Sequence, residues 1–146
     1  MYDLNKIKSE LDLLPKWDDQ ICLQGANGET DPFCGTGRAL DLKYKEIEYN
    51  QTIFNFPYIN SIIEEHKLYR VRLMNLKPKR CYTYHHDLTK RFHIPIETND
   101  KCFFIVDKKV VQFPADGNYY ILDTTKNHTA INASKEDRIH LIGNFK

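Results

Sequence analysis

The chain has 146 residues, of which 21 are Lys or Arg and 20 are Asp or Glu, so its formal net charge is only +1. This length predicts a single domain, and the balanced charge argues against a nucleic-acid partner. Hydrophobic residues make up 41% of the chain and aromatic residues 12%, a composition that excludes a disordered segment.

The sequence contains no stretch that approaches the roughly 20 apolar residues of a membrane helix, and its N-terminus lacks the apolar core of a signal peptide. Its four cysteines form no C-x-x-C pair, which argues against a zinc knuckle or a redox dithiol. We therefore expect a cytoplasmic protein that does not contact a membrane.

Two helices are predicted in the first half of the chain. Asn5 or Asp3 caps a helix over Lys6 to Leu14, and Pro15 ends it. The second helix runs from Pro57 to about Lys67, with one apolar stripe and one charged face. Between the helices, glycines and acids follow a short strand around residues 21–23 and predict a long loop over residues 25–38, with room for a substrate lid.

From Leu68 onward the pattern changes to short β-rich runs separated by turn residues. The eight runs are YRVRLMNL, CYTYHHD, RFHIPIET, CFFIV, KVVQF, NYYILD, TAIN and DRIHLIGNF. Their spacing predicts an antiparallel sandwich or barrel rather than helix crossovers. We predict a mainly β fold, a double-stranded β-helix (jelly roll, cupin-like) with two flanking N-terminal helices. Residues 1–146 would form one domain, with 1–67 as helical and loop support and 68–146 as the β-sandwich core.

Three residues of these runs form a candidate metal site. His85 and Asp87 are two residues apart, so on a strand both side chains project from one face while His86 projects from the other. His128, several strands later, can complete a set of two imidazoles and one carboxylate. Such a facial set leaves three positions open on octahedral iron(II), enough for a bidentate 2-oxo acid and dioxygen. If the strand register slips by one residue, His86 becomes the rival ligand.

Cationic residues on neighbouring strands suit an acidic co-substrate. Arg138, ten residues after His128, can bind a distal carboxylate through its guanidinium. Arg91 and His93 alternate onto one face of their strand, where they can bind the other carboxylate or the substrate. His140 alternates with Arg138 onto the same face, either lining the cavity floor or simply buried and hydrogen-bonded.

These motifs resemble the aspartyl/asparaginyl β-hydroxylase family of iron(II)- and 2-oxoglutarate-dependent oxygenases, which also resembles certain bacterial proline hydroxylases. The resemblance covers roughly residues 68–145. It rests on H-x-D at residues 85–87, on the R-F-H-I-P-I and G-N-Y-Y-I-L-D strands, and on N-H-T-A-I-N followed by R-I-H-L-I.

The resemblance implies that His85, Asp87 and His128 hold Fe(II), and that Arg138 binds the 5-carboxylate of 2-oxoglutarate. It places Arg91 at the 1-carboxylate, with His93 in the same motif, and O2 as the second co-substrate. Some family members lack the metal-binding acid. Because Asp87 is present, this chain resembles the three-ligand members, and the best-known protein-modifying activity does not transfer to it directly.

Three functions stay open at this point. The first is hydroxylation of an Asp, Asn or Pro side chain, free or in a polypeptide, by a 2-oxoglutarate-dependent dioxygenase. The second is a cupin-like metal enzyme that needs no 2-oxoglutarate, and the third is a non-catalytic jelly-roll interaction module. The three candidate metal ligands could also be structural, with His85 a satisfied core histidine, Asp87 a turn residue and His128 a hairpin histidine.

Overall fold

A computed structural model describes residues 1–145 and contains two α-helices, α1 (Leu4–Leu11) and α2 (Pro57–Glu65). Asp3 caps α1, since its side chain accepts hydrogen bonds from the backbone N–H groups of Asn5 and Lys6. Both helices end earlier than predicted. A residue before proline avoids the helical region, which disfavours Leu14, and Lys67 has a left-handed backbone with φ of 51°. Neither helix is long and apolar enough to cross a bilayer.

The strands of the described residues match most of the predicted runs. In chain order they are β1 (Gln20–Cys22), β2 (Gln24–Gly25), β3 (Gln51–Thr52), β4 (Tyr69–Leu76), β5 (Arg80–Cys81), β6 (Arg91–Glu97), β7 (Cys102–Val106), β8 (Lys109–Val111), β9 (Tyr120–Leu122), β10 (His128–Asn132) and β11 (Arg138–Asn144).

The strands form a main sheet in the order β1-β4-β11-β6-β9 and a second sheet in the order β5-β10-β7-β8, with β2 and β3 paired separately. Every pairing is antiparallel. The fold is therefore mainly β with two helices, consistent with the predicted jelly roll. The segment 1–67 adds more than helices and loops, because β1 is an edge strand of the main sheet.

The two faces of the main sheet differ in character. Its outer face packs against the helices, with Val71, Leu73 and Leu141 in one apolar cluster with Ile7 and Ile59. Alternate residues of a strand point to opposite faces, so the intervening positions face the second sheet. That inner face is unusually polar, and its buried members include Arg70, Arg72, Arg91, His93, Arg138, His140 and Asn144.

The predicted loop over residues 25–38 is tied to the β1–β4 edge of the main sheet. The Arg70 guanidinium donates to the carbonyl oxygens of Gly35 and Gly37, at 3.1 and 2.6 Å. Arg70 lies where the β4–β11 register shifts, and its φ is +48°, a conformation that costs a non-glycine residue about 1–3 kcal/mol. The sheet thus holds one strained arginine where it contacts this loop.

Candidate metal centre

His85, Asp87 and His128 come together as predicted. One potential ligand atom from each lies within 4.8 Å of the others. The Nε2 atom of His128 is 3.5 Å from one Asp87 carboxylate oxygen, and the Nε2 atom of His85 is 3.7 Å from the other. His128 is buried, Asp87 is half-buried and His85 is exposed, so the group is open to solvent on one side. His86 is exposed and lies outside the group.

The local structure that brings these residues together differs from the prediction. The run 81–87 was expected to be a strand, but only Arg80–Cys81 is strand, and His85 pairs with His128 through an isolated bridge. The backbone N–H of Tyr82 donates to the carbonyl oxygen of Ala130, and that of His85 donates to the carbonyl oxygen of His128. Residues 83 and 84 therefore lie opposite a single residue of β10, Thr129. Such an extra residue is typical of a β-bulge, which re-aims side chains. The bulge, rather than simple alternation, directs His85 and Asp87 toward His128.

Backbone carbonyl groups fix the orientation of both imidazole rings. The Nδ1 atom of His85 lies 2.6 Å from the Thr83 carbonyl oxygen, and that of His128 lies 2.9 Å from the Lys126 carbonyl oxygen. A carbonyl only accepts, so each Nδ1 carries the proton. In the neutral ring Nε2 then presents a lone pair, and both Nε2 atoms face Asp87. Metal-binding histidines in proteins commonly have this second contact.

The electrostatics of the group favour a bound cation. Burial lowers the pKa of His128, which favours its neutral form, although the Lys126 carbonyl and the Asp87 carboxylate oppose this. Two imidazole lone pairs and a carboxylate then converge at separations too long for a direct hydrogen bond. A divalent cation between them would satisfy all three, so the residues present fit a metal ion.

A second carboxylate, Glu46, is linked to this group through Arg91. The Arg91 Nη2 atom lies 3.7 Å from Asp87 and 3.6 Å from Glu46. Glu46 also accepts hydrogen bonds of 2.7 Å from Arg70 and from Asn144. Burial alone would raise the pKa of Glu46, but these neighbours lower it overall. Glu46 is thus an ionised anchor that holds Arg91 beside the candidate metal ligands.

Arg138 and His93 lie deeper between the sheets, around the ring of Phe104. The Arg138 guanidinium carbon is 5.5 Å from the Phe104 ring centre, and the His93 and His140 rings are 5.3 and 5.8 Å from it. The Nε and Nη2 atoms of Arg138 and the Nε2 atoms of both histidines are buried without a hydrogen-bond partner. Buried polar atoms without a partner are rare unless a ligand or water satisfies them. The arrangement can therefore receive an anionic group.

The polar interior also contains residues that were not predicted as parts of a site: Glu46, Arg70, Arg72 and Asn144. For the two arginines of β4 a signal was available, because the alternation in YRVRLMNL puts both on the same face as Leu76. Glu46 had no such signal, since it lies in a short 3-10 turn (Glu46–Glu48) far from the β-runs. Only the tertiary structure brings it to Arg91.

Two shallow surface depressions lie away from this centre. One, of about 620 Å³, lies between α1 and α2, and the other, of about 680 Å³, lies beside residues 96–98 and 135–137. Neither is lined by His85, Asp87 or His128. We therefore place the candidate site at the polar interior of the sandwich.

The fold and this group of side chains define a mainly β protein with a candidate His-Asp-His metal centre. The aspartyl/asparaginyl β-hydroxylase family matches residues 2–146, and the chain belongs to that family. The match extends well beyond residues 68–145, where the sequence motifs suggested the resemblance. No curated protein sequence matches the chain.

Several solved structures are similar over part of the chain. A cupin domain from Bordetella pertussis is 16% identical with a TM-score of 0.46, covering 54% of this chain and 81% of that one. A predicted oxalate decarboxylase from Thermotoga maritima is 17% identical with a TM-score of 0.43, covering 58% and 72%. A Photorhabdus luminescens protein is 16% identical with a TM-score of 0.43, and the match spans 52% of this chain and only 61% of that protein.

Proposed function

We propose that the protein is a non-haem iron(II) dioxygenase that uses 2-oxoglutarate and O2 to hydroxylate an amino-acid side chain. The observation that carries the proposal is the convergence of two imidazole lone pairs and one carboxylate, each ring held by a backbone carbonyl. Membership of a hydroxylase family supports the reaction class. The strand orders of the two sheets support a jelly roll as the scaffold.

In this proposal His85, Asp87 and His128 hold iron(II) and leave open positions for the co-substrates. When bound, iron(II), 2-oxoglutarate and O2 supply the oxidising chemistry, with one oxygen atom entering the product alcohol and the other entering succinate as CO2 leaves. The task of this chain is to bind and orient these molecules and to limit the access of water.

Arg138 binds the 5-carboxylate of 2-oxoglutarate. Its side chain is 2% exposed, and no carboxylate of the described residues lies within 4.0 Å of its guanidinium group. A buried arginine without a counter-ion is costly, and a bidentate carboxylate satisfies it. This feature favours the 2-oxoglutarate enzyme over a cupin-like enzyme that needs no 2-oxoglutarate, which has no use for a cation at this position.

Arg91 and His93 serve the 1-carboxylate end of the co-substrate. Arg91 is held between Glu46 and Asp87, next to the metal ligands, and His93 follows it on the same face of β6. Burial lowers the pKa of His93 well below its usual value, so its ring is neutral and acts through hydrogen bonding rather than charge.

Anaerobic titration with Fe(II) tests the metal centre. We expect one equivalent to bind to the wild-type protein and to His86→Ala, which removes an adjacent exposed histidine as a matched control. His128→Ala should lose tight binding while keeping the wild-type fold by circular dichroism. Equal Fe(II) affinity in His128→Ala and wild type would refute the assignment, and no uptake by the wild type would leave the interaction module as the better account.

A further inference from the structure

The inner face of the main sheet carries more positive than negative charge. Four arginines lie there, each at most 7% exposed: Arg70, Arg72, Arg91 and Arg138. Arg70 pairs with Glu46 at 2.7 Å, and Arg91 lies between Glu46 and Asp87. In the proposed function Arg138 receives the distal carboxylate of 2-oxoglutarate. Once Arg138 is paired with the co-substrate, Arg72 is the one of these four arginines that still has no anionic partner.

The Arg72 guanidinium group has one recorded hydrogen-bond partner among residues 1–145, and that partner is a neutral amide. Its Nη1 atom donates to the side-chain oxygen of Gln20 at 3.0 Å, while its Nε atom is buried and has no partner. Among residues 1–145 no carboxylate lies within 4.0 Å of its guanidinium group. Burial lowers the pKa of Arg72 to about 10, and the charges of Arg70 and Arg91 act in the same direction, while the carboxylate of Glu46, beyond contact distance, opposes them in part. A cation kept under these conditions indicates a missing anion.

The position of Arg72 puts that anion on the same face of the main sheet as His93, which the proposed function assigns to the co-substrate. Arg72 is opposite Ile142 in β11, and Ile142 is opposite His93 in β6, so the three residues lie abreast across the sheet. Leu76, on the same face of β4 as Arg72, packs in the apolar cluster between the sheets, while Val71 belongs to the outer cluster. The Arg72 guanidinium therefore projects into the interior rather than toward the helices.

We propose that Arg72 binds the carboxylate of the substrate, and that the substrate is a small free organic acid of the amino-acid class. This inference rests on the proposed function, because it assigns Arg138 to the co-substrate. Arg72 is only 5% exposed, so its guanidinium group has little contact with solvent. A free acid can present its carboxylate there without an attached main chain, whereas a residue inside a polypeptide carries the chain on both sides.

The test measures how a panel of common L-amino acids binds to the full chain, by thermal shift and calorimetry. Each acid is tested in the metal-free protein and again with Mn(II) and saturating 2-oxoglutarate. At least one acid should stabilise the wild type, and its carboxamide, such as L-prolinamide for L-proline, should bind at least tenfold more weakly. Arg72→Met should lose at least tenfold in affinity for that acid, Arg72→Lys should lose less, and Arg80→Met, an exposed matched control, should bind as wild type.

The affinity for 2-oxoglutarate separates this inference from the proposed function. Arg72→Met should bind 2-oxoglutarate with Mn(II) as the wild type does. A loss of 2-oxoglutarate affinity with unchanged acid binding would assign Arg72 to the co-substrate and overturn the inference. Equal binding of acid and amide to the wild type, or no binding of any panel acid, would also overturn it without relying on a variant. Failure of 2-oxoglutarate itself to bind the wild type would instead refute the proposed function.

Discussion

The imidazole rings of His93 and His140 face each other between the two sheets, with their Nδ1 atoms 3.1 Å apart. Both side chains are at most 3% exposed. In this contact one Nδ1 atom donates and the other accepts, so at least one ring must be neutral. When both rings are neutral, one Nε2 atom is a donor and the other is an acceptor. The pair is thus a polar, uncharged element beside three arginines.

Because His93 and His140 are buried, we expect the free energy of unfolding to decrease as the pH falls. Burial lowers the pKa of both histidines well below their ordinary value, so the unfolded chain binds these protons first as the pH falls below about 6.5. The free energy of unfolding should therefore fall by about 1.4 kcal/mol per pH unit for each of the two histidines below that pH. Urea unfolding between pH 5 and 8 measures the slope. His140→Gln should reduce the slope, whereas a flat profile for the wild type would contradict the assignment.

Glu46 should stabilise the fold through its charge. Glu46→Gln keeps the shape of the side chain but leaves Arg70 and Arg91 without that carboxylate, so we expect a loss of about 3 kcal/mol in the free energy of unfolding. Asp41→Asn removes the acid of a fully exposed pair with Arg38 and should have no measurable effect. Chemical denaturation of both variants checks the comparison. Equal stability of Glu46→Gln and wild type would show that the charge of Glu46 is not needed.

Asp87 should contribute to metal binding through its ionised carboxylate. Asp87→Asn retains size and polarity but weakens the anionic ligand, so the affinity for Fe(II) or Mn(II) should fall at least about 10- to 100-fold. Glu97→Gln, a charge change at the exposed end of β6, is the matched control. Calorimetric titration with Mn(II) measures both, and an unchanged affinity in Asp87→Asn would remove this residue from the ligand set.

Arg138 should discriminate between 2-oxo acids by their distal carboxylate. Arg138→Met should weaken binding of 2-oxoglutarate by at least about tenfold, the equivalent of 1.4 kcal/mol. Pyruvate has the same 2-oxo acid group but no distal carboxylate, so its weak binding should be the same in variant and wild type. Competition between the two acids in the Mn(II) protein provides the measurement. A parallel loss for both acids would mean that the variant damages the metal centre itself.

Much of the fold could be predicted from the sequence because its strands have strong alternation and clear turn residues. The run YRVRLMNL coincides with β4, and CFFIV coincides with β7. The prediction of CYTYHHD as one continuous strand was wrong. The bulge at residues 83–84 depends on pairing with β10, and local propensity does not encode that pairing. The predicted C-terminal ends of the helices were wrong by two or three residues, because Leu14 precedes a proline and Lys67 has a left-handed backbone.

The candidate metal ligands could be predicted from residue type and spacing, but the buried charged residues around them could not. Glu46 reaches Arg91 across 45 positions of chain, and nothing in its own segment indicates a buried carboxylate. Arg72 was overlooked because arginines on a strand usually face solvent. Only the burial of both faces of the main sheet shows that its guanidinium group lies inside.

The proposed function requires this chain to hold iron(II) and 2-oxoglutarate together at His85, Asp87 and His128. The most direct measurement is the visible absorption spectrum of the anaerobic protein after addition of Fe(II) and then 2-oxoglutarate, followed by admission of O2 and quantitation of succinate. A weak charge-transfer band should appear only after both additions and be absent in His128→Ala, and succinate should form in the wild type. Stoichiometric Fe(II) binding with neither band nor succinate would contradict it and would favour a metal enzyme that does not use 2-oxoglutarate.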